Sequence, residues 1–188
     1  MQKIPTLFLR DPTNMKLVTR EVNPDAAWVL EGQGTPTRKK DGTSIRVTVQ
    51  DGRCVKLEKR RNPTREEKAQ GAEPGYIDAH RDDPADKHIF AACDQEHYMA
   101  STHAWPDGVY SCEALGPKIQ GGVESGVPLL YPFTLHPERL SENPRTFEAI
   151  RDFLTQTEIE GIVWHHEDGR MAKIKRKDFG LPWPVKGR

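Results

Sequence analysis

The sequence predicts an α+β fold in which most strands pair antiparallel. Three observations predict it: the turn signals Asp51-Gly52 and Asp168-Gly169, the strand-like segments on either side of each, and one clear helical stripe late in the chain. At 188 residues the chain is long enough for one domain with a real core, and a second domain would have to be very small. A single domain over residues 1–188 is therefore expected.

Taken in order, Ala27-Trp28-Val29-Leu30-Glu31 reads as a short strand, broken by Gly32-Gln33-Gly34-Thr35-Pro36. Residues 43–49 alternate, with Ile45, Val47 and Val49 on one face and Ser44, Arg46 and Thr48 on the other. Asp51-Gly52 turns this strand into a partner running from about Arg53 to Lys59. Residues 62–87 are polar and rich in Pro, Gly and Asp, and read as a long loop with one helical turn. Val109–Leu115 reads as a strand ended by Gly116-Pro117, and Gly121-Gly122 marks a further turn. Asn143-Pro144 is a helix start, Asn as cap and Pro in the first turn, with Phe147, Ile150 and Leu154 forming an apolar stripe. Glu160–Trp164 is then a strand, and Asp168-Gly169 turns it into a second one from Arg170 to Arg176. There is no internal repeat, low-complexity tract or obvious linker.

Composition excludes several classes. Hydrophobic residues make up 35% and charged residues 30%, an ordinary globular balance tilted to the polar side. No apolar run approaches a membrane span, and Met1–Thr6 lacks a signal-peptide core, so a cytoplasmic protein with no membrane partner is expected. Cys54, Cys93 and Cys112 are odd in number and widely spaced, which fits reduced thiols. The spacing of Cys93, His97, His103 and Cys112 matches no strong zinc pattern. The formal net charge is +0, but phosphate binding needs local basic surface, and clusters stand at Arg38-Lys39-Lys40, Lys59-Arg60-Arg61 and Lys173 to Lys177.

Four short motifs carry candidate chemistry. Lys39-Lys40-Asp41-Gly42 is a K-x-D-G placed in a loop just before the first hairpin. Its lysine could attack phosphorus once its amine is neutral, which burial or neighbouring cations such as Arg38 and Lys40 would favour. Asp41 could orient the amine or a sugar hydroxyl, and Gly42 permits a close backbone turn. Glu160-Gly161-Ile162-Val163 puts a carboxylate at the start of a buried strand, where it can hold a divalent ion. Met171-Ala172-Lys173-Ile174-Lys175 places two ammonium groups on one strand face, able to hold one phosphate. Glu113 lies in a strand from which it could bind ribose hydroxyls. Each has a bland counterpart: an exposed turn, a solvated glutamate, a lysine-guarded edge strand and a polar residue on an exposed face.

Order and spacing favour the chemical readings together. K-x-D-G, an arginine pair about twenty residues later, Glu113, E-G-I-V, and K-x-K thirteen residues after Glu160 (173 minus 160) form the motif order of the covalent nucleotidyltransferases, which include DNA ligases, RNA ligases and mRNA capping enzymes. Ile4–Asp11, Trp28–Thr43 and Glu113–Gly121 further resemble the small RNA ligases of phages and cells, and the likeness runs over nearly the whole chain. It implies a nucleotidyltransferase (ATP-grasp-like) domain of antiparallel sheets with flanking helices.

By that resemblance Lys39 is the nucleophile that takes AMP, and Asp41 and Gly42 belong to its motif. Either Arg60 or Arg61 fills the next motif, Glu113 contacts the ribose, Glu160 supports the metal, and Lys173 and Lys175 bind the α-phosphate. Arg38 and Arg46 join the expected nucleotide contacts, and Arg176 and Lys177 the expected RNA contacts. Tyr131 and Phe133 are candidates to stack on the base, against an ordinary core role. The implied cofactors are ATP and Mg²⁺ or Mn²⁺, and the implied partner is RNA with 5′-phosphate and 3′-hydroxyl ends, bound by a monomer. Gln33 and Thr37 depart from the glutamates often found at their positions. Only 13 residues follow Lys175 (188 minus 175), too few for a C-terminal OB domain, which favours an RNA ligase over a minimal DNA ligase or a capping guanylyltransferase. A non-catalytic RNA-end binder should lack the nucleophile or the metal carboxylate, and Lys39, Glu113 and Glu160 are all present.

Overall fold

A computed structural model describes residues 4–98, 105–135 and 137–184. The described chain forms two compact units, one from residues 41–137 and the other from residues 3–40 with 138–188. All named sheets are antiparallel, as the hairpin signals predict. No described helix is long and apolar enough to cross a membrane.

The unit of residues 41–137 is built on a five-stranded sheet of β4 (Thr43–Gln50), β5 (Arg53–Arg61), β6 (Gly75–Asp78), β7 (Gly108–Leu115) and β8 (Leu129–Pro132), in the order β6-β5-β4-β7-β8. Asp51 and Gly52 both take positive φ, 50° and 66°, and this left-handed pair makes the tight turn between β4 and β5. Ile45, Val47 and Val49 are buried, as their alternation requires, with Leu57, Cys112 and Ala114. Burying each such aliphatic side chain contributes roughly 1.5–3 kcal/mol.

Helix α2 (Lys87–Tyr98) adds Ile89, Ala92 and Cys93 to this core. Buried Asp86, just before α2, accepts from Lys59 Nζ at 2.6 Å and from the His80 backbone at 2.9 Å, fastening β5 to the helix start. The expected loop at 62–87 thus contains the single-turn helix α1 (Arg65–Ala69), capped by Thr64, and also an edge strand, β6.

The other unit holds a three-stranded sheet in the order β10-β9-β3, from β3 (Thr35–Lys39), β9 (Gly161–His165) and β10 (Met171–Lys175). Strands β1 (Phe8–Arg10) and β2 (Val18–Val22) form a separate pair. Ile162, Trp164, Ala172 and Ile174 pack with Leu7, Phe8, Val29, Ile150 and Leu154. The last two come from α3 (Phe147–Gln156) and realise the predicted stripe.

Two local expectations are corrected here. Residues 24–29 form a 3-10 helix rather than a strand: Asn23 accepts from the Asp25 backbone as cap, and Pro24 occupies the first turn. Helix α3 is capped by Thr146, not Asn143, whose Oδ1 instead accepts from Trp164 Nε1 at 3.1 Å.

Strand β10 lies so close to β9 that Gly161 cannot carry a side chain. A Cβ there would sit 2.1 Å from the Ile174 carbonyl oxygen and 2.9 Å from the Lys175 Cα. Gly161→Ala therefore loses roughly 2–3 kcal/mol, because the atoms in the way are backbone. Urea melts measure this, and a variant with the wild-type midpoint would refute the close approach.

Candidate active site

Lys40, Asp41 and Gly42 form the expected connection before the β4–β5 hairpin, but the motif lysine itself does not lie in a loop. Lys39 is the last residue of β3, whose outer edge pairs with residues 138–140: the Arg38 amide donates to Glu138 O and the Leu140 amide to Pro36 O. Pro36 is tolerated at such an edge because it owes no ladder hydrogen bond to β9 there. Register then sets the site. Lys39 stands opposite Gly161, and Gly161 opposite Lys175. One row further along, Thr37, Val163 and Lys173 face each other. Since side chains alternate, Lys39, Lys173 and Lys175 share one face of the sheet.

Glu160 immediately precedes Gly161 and is buried, only 4% exposed. Its carboxylate is held from two sides: Lys39 Nζ donates to Oε2 at 2.5 Å and Lys175 Nζ reaches Oε1 at 3.0 Å. Lys39 Nζ also donates to the Lys40 carbonyl at 3.1 Å. A buried carboxylate requires this compensation, and both lysine tips are thereby fixed. The missing side chain of Gly161 leaves the gap across which they meet.

The rest of the first basic cluster is engaged differently. Arg38 lies on the opposite face from Lys39 and pairs with Glu138 at 3.5 Å, while Lys40 pairs with the same carboxylate at 2.6 Å. Thr37 is buried, donating to Val163 O at 3.1 Å and contacting His165 Nε2 at 3.0 Å. Arg176, expected to contact RNA, is 4% exposed instead. It donates to the carbonyls of Leu154, Thr157 and Pro182, capping the end of α3 and tying down the chain after β10. Glu138 and this role of Arg176 carry no motif in the sequence.

The five-stranded sheet presents a polar face of its own. Cross-strand partners share a face, so Arg46 lies with Glu58 and Ser111, Glu113 with Ser44 and Tyr131, and Arg60 with Tyr76. Arg46 donates twice to Glu58, each bond 2.6 Å, and its guanidinium stacks 4.7 Å above the Tyr76 ring. Arg46 holds the Glu58 carboxyl below the usual carboxylate range. Arg60 shares the face of Glu113, whereas Arg61 points to the other and pairs with Glu67 through two 2.8 Å bonds. Tyr131 and Phe133 are half-buried and outside the buried core. Asp41 and Gly42 open this unit: the Asp41 amide donates to Glu124 at 3.4 Å, and a Cβ on Gly42 would meet the Ala114 carbonyl at 2.5 Å.

Among the described residues no three His, Cys, Asp or Glu side chains cluster as a protein-made metal cage. Small divalent cations, however, take one or two carboxylates and complete their shell with substrate phosphates and water. The buried Glu160 carboxylate fits that mode. Of the four zinc candidates, Cys93 and Cys112 are buried free thiols, and the side chain of His97 and all of His103 lie outside the described residues.

Comparison with known proteins points one way. A family model described as RNA ligase 1 matches residues 142–188. RNA ligase 1 of Danio rerio is 59% identical over 27 residues, 14% of this chain and 8% of that protein. An apo lysine-to-alanine variant of a Naegleria gruberi RNA ligase superposes with a TM-score of 0.51 at 14% identity, covering 91% of this chain and 58% of the other. A glutamate-to-alanine variant of the Naegleria gruberi RNA ligase with ATP and Mn gives 0.50 at 16% identity, covering 93% and 59%. The chain therefore spans under two thirds of the length of these proteins, and the structural likeness is one of fold. The resemblance to RNA ligases of the nucleotidyltransferase type, drawn above from motif order, is supported by family model, relative and fold alike.

A pH dependence follows from His165, at the far end of β9. Burial pushes its imidazole below the ordinary 6.5. The unfolded chain, with histidine near its ordinary value, therefore binds this proton first. Stability from neutral His165 is complete above about pH 6.5 and is lost as pH falls toward the folded value. Urea melts from pH 7 to 5 should show this loss, and His165→Gln should flatten the slope. An unchanged slope in the variant would refute the assignment.

Proposed function

We propose that the chain is an ATP-dependent RNA ligase that works through a covalent adenylate on Lys39. The observation that carries the proposal is the constellation of Lys39 and Lys175 on the two oxygens of buried Glu160, with Lys173 on the same sheet face. A lone surface lysine would suit a structural role; two lysines on one buried carboxylate with a third on the same sheet face suit phosphoryl transfer.

The proposed chemistry has three steps. The neutral Lys39 amine attacks the α-phosphorus of ATP, the P–N bond forms, the bond to the bridging oxygen breaks, and pyrophosphate leaves. An ammonium has no lone pair, so a proton must leave Nζ; the Glu160 carboxylate is the base in contact with it, while the Lys40 carbonyl accepts a hydrogen bond that orients the amine. A 5′-phosphate oxygen of RNA then attacks the adenylate phosphorus and frees Lys39. Finally a 3′-hydroxyl attacks the 5′-phosphorus, AMP departs, and a phosphodiester remains. Lys173 and Lys175 offset charge on the phosphoryl oxygens at each transfer. A Mg²⁺ or Mn²⁺ ion held by Glu160 and the nucleotide phosphates would supply Lewis-acid charge there. On the sheet of the other unit, Glu113 is assigned to the ribose, and Arg60, on the same face, is assigned over Arg61 as the motif arginine. Arg46 is the further cation of that face, already paired with Glu58.

The nucleophile is tested by incubating the protein with labelled ATP or, separately, GTP, followed by denaturing electrophoresis and intact-mass measurement. ATP should leave an AMP-sized adduct that is absent in Lys39→Ala, and Glu160→Ala should lower its formation by at least tenfold, roughly the 1.4 kcal/mol of one decade. A labelled Lys39→Ala protein would refute the assignment.

The substrate is tested on matched all-RNA and all-DNA strands with 5′-phosphate and 3′-hydroxyl ends. RNA should be sealed faster and sealing should weaken with added salt, since backbone contacts release counterions. Faster sealing of DNA would overturn the RNA assignment and leave the lysine chemistry standing.

A further inference from the structure

A second reactive centre lies within the unit of residues 41–137, where strand β5 meets helix α2. A β-bulge at Val55 interrupts the β4–β5 ladder: Thr48 stands opposite Lys56, but Val49 stands opposite Cys54. Along β5, simple alternation from buried Leu57 would turn Val55 inward and Cys54 outward. The extra residue reverses this. Val55 is 57% exposed, and Cys54 joins Val49 on the core side, packed against the cluster that holds Cys93. Bulges commonly re-aim a side chain in this way.

The two sulfurs line a common cleft of about 350 Å³, walled by Arg53, Lys56, Arg81, Phe90 and Asp94. Their roles in it differ. Cys54 is half-buried, while Cys93, on α2, is buried. The Cys54 thiol donates to the Lys56 carbonyl at 3.6 Å; the neighbouring Cys93 holds it below its usual range, while Cys54 and burial push that of Cys93 up. Asp94 and Arg81, bound to each other at 2.7 and 2.9 Å, act on Cys54 in opposite directions, Asp94 raising and Arg81 lowering its pKa, and the guanidinium stacks 4.5 Å over Phe90. The cleft thus brings together a half-buried thiol and a buried one from facing elements, the arrangement of an attacking and a resolving cysteine.

We propose that Cys54 and Cys93 form a peroxide-oxidised dithiol that closes to an intrachain disulfide between β5 and α2. The Cys54 thiolate attacks one oxygen of hydrogen peroxide; an S–O bond forms, the O–O bond breaks, and hydroxide leaves as water after taking a proton. Cys93 sulfur then attacks Cys54 sulfur; the S–S bond forms, the S–O bond breaks, and the second water leaves with the Cys93 proton. Two thiols lose two electrons and two protons, and one peroxide is reduced to two waters. Cys112 lies on β7 and takes no part; its sulfur contacts the Tyr110 carbonyl at 3.8 Å. The proposal does not depend on the ligase reading, because it concerns thiols and not nucleotide.

The test uses the full chain. Reduced protein is exposed to stoichiometric hydrogen peroxide, unfolded, and alkylated with N-ethylmaleimide without reductant. The number of alkylated cysteines should fall from three to one, Cys112 alone, with the loss of two hydrogens in intact mass and a crosslinked peptide joining Cys54 to Cys93. Dithiothreitol should restore all three. Cys93→Ser should trap Cys54 as a sulfenic acid that dimedone labels, whereas Cys54→Ser should leave Cys93 unlabelled. Three alkylated cysteines after peroxide, a crosslink that includes Cys112, or over-oxidation of Cys54 with Cys93 still a thiol would each overturn the proposal. The wild-type measurement stands even if a variant fails to fold.

Discussion

A buried carboxylate that two lysines share is the constraint on which the three-stranded sheet is organised. A carboxylate at 4% exposure requires close partners, and Lys39 and Lys175 supply them from the two strands that flank β9 in one row of the ladder. That demand reaches into the backbone. The two lysines meet one carboxylate because the residue between them in the row is Gly161, and Gly161 is there because β10 passes too near for a Cβ. Packing of Ile162, Trp164, Ala172 and Ile174 on the reverse face fixes the three strands in register, so the geometry of the charged group is inherited from an apolar core. The two lysine tips are thus ordered by the protein itself, and such preorganisation lowers the entropic cost of binding any ligand they meet.

The five-stranded sheet solves a related problem by sorting charge between its faces. On one side Lys59 and buried Asp86 serve the attachment of α2, and Arg61 serves the capped turn of α1 through Glu67. On the other, Arg46, Glu58, Arg60, Tyr76 and Glu113 form a polar surface. Adjacent residues in a strand point oppositely, so Lys59-Arg60-Arg61, a single basic cluster when read along the chain, divides into structural and surface charges. Register puts Arg60 on the polar face and Arg61 on the other, a distinction that sequence spacing does not make.

What is legible in the sequence follows from how local its cause is. The strands around Asp51-Gly52 and Asp168-Gly169 and the stripe of α3 depend on residues a few positions apart, and they stand where expected. Strand β3 is hidden because Thr35–Lys39 carries Pro36 and no alternating apolar set; it is a strand only because β9 and residues 138–140 pair with its two edges. The 3-10 helix at Pro24–Val29 is misread from its apolar residues although Asn23-Pro24 is a start signal of the kind sought at Asn143-Pro144. Thr146 outcompetes Asn143 as cap because Trp164, far along the chain, claims the Asn143 carbonyl oxygen. Each of the lysines and Glu160 stands out by motif, but the salt bridges that join them span more than a hundred residues in one case and could not be read from spacing.

The formal charge of +0 is at first sight poorly suited to the proposed nucleotide and RNA chemistry. The structure resolves this by showing how many of the charges cancel locally. Lys40 and Arg38 share Glu138, Lys59 is held by Asp83 and Asp86, Arg61 by Glu67, and Arg176 is buried against backbone carbonyls. Taken together these five cations and four carboxylates sum to +1 (five minus four), so most of their charge cancels and little field remains at a distance. The lysine face is arranged differently: Lys39 and Lys175 share the one carboxylate of Glu160, and Lys173 stands on the same face of the sheet. An anion senses such local arrangements and not the chain average, because salt screens charges beyond about 10 Å. Net charge excludes very little here, whereas the pairing of each cation decides which clusters can receive an anion.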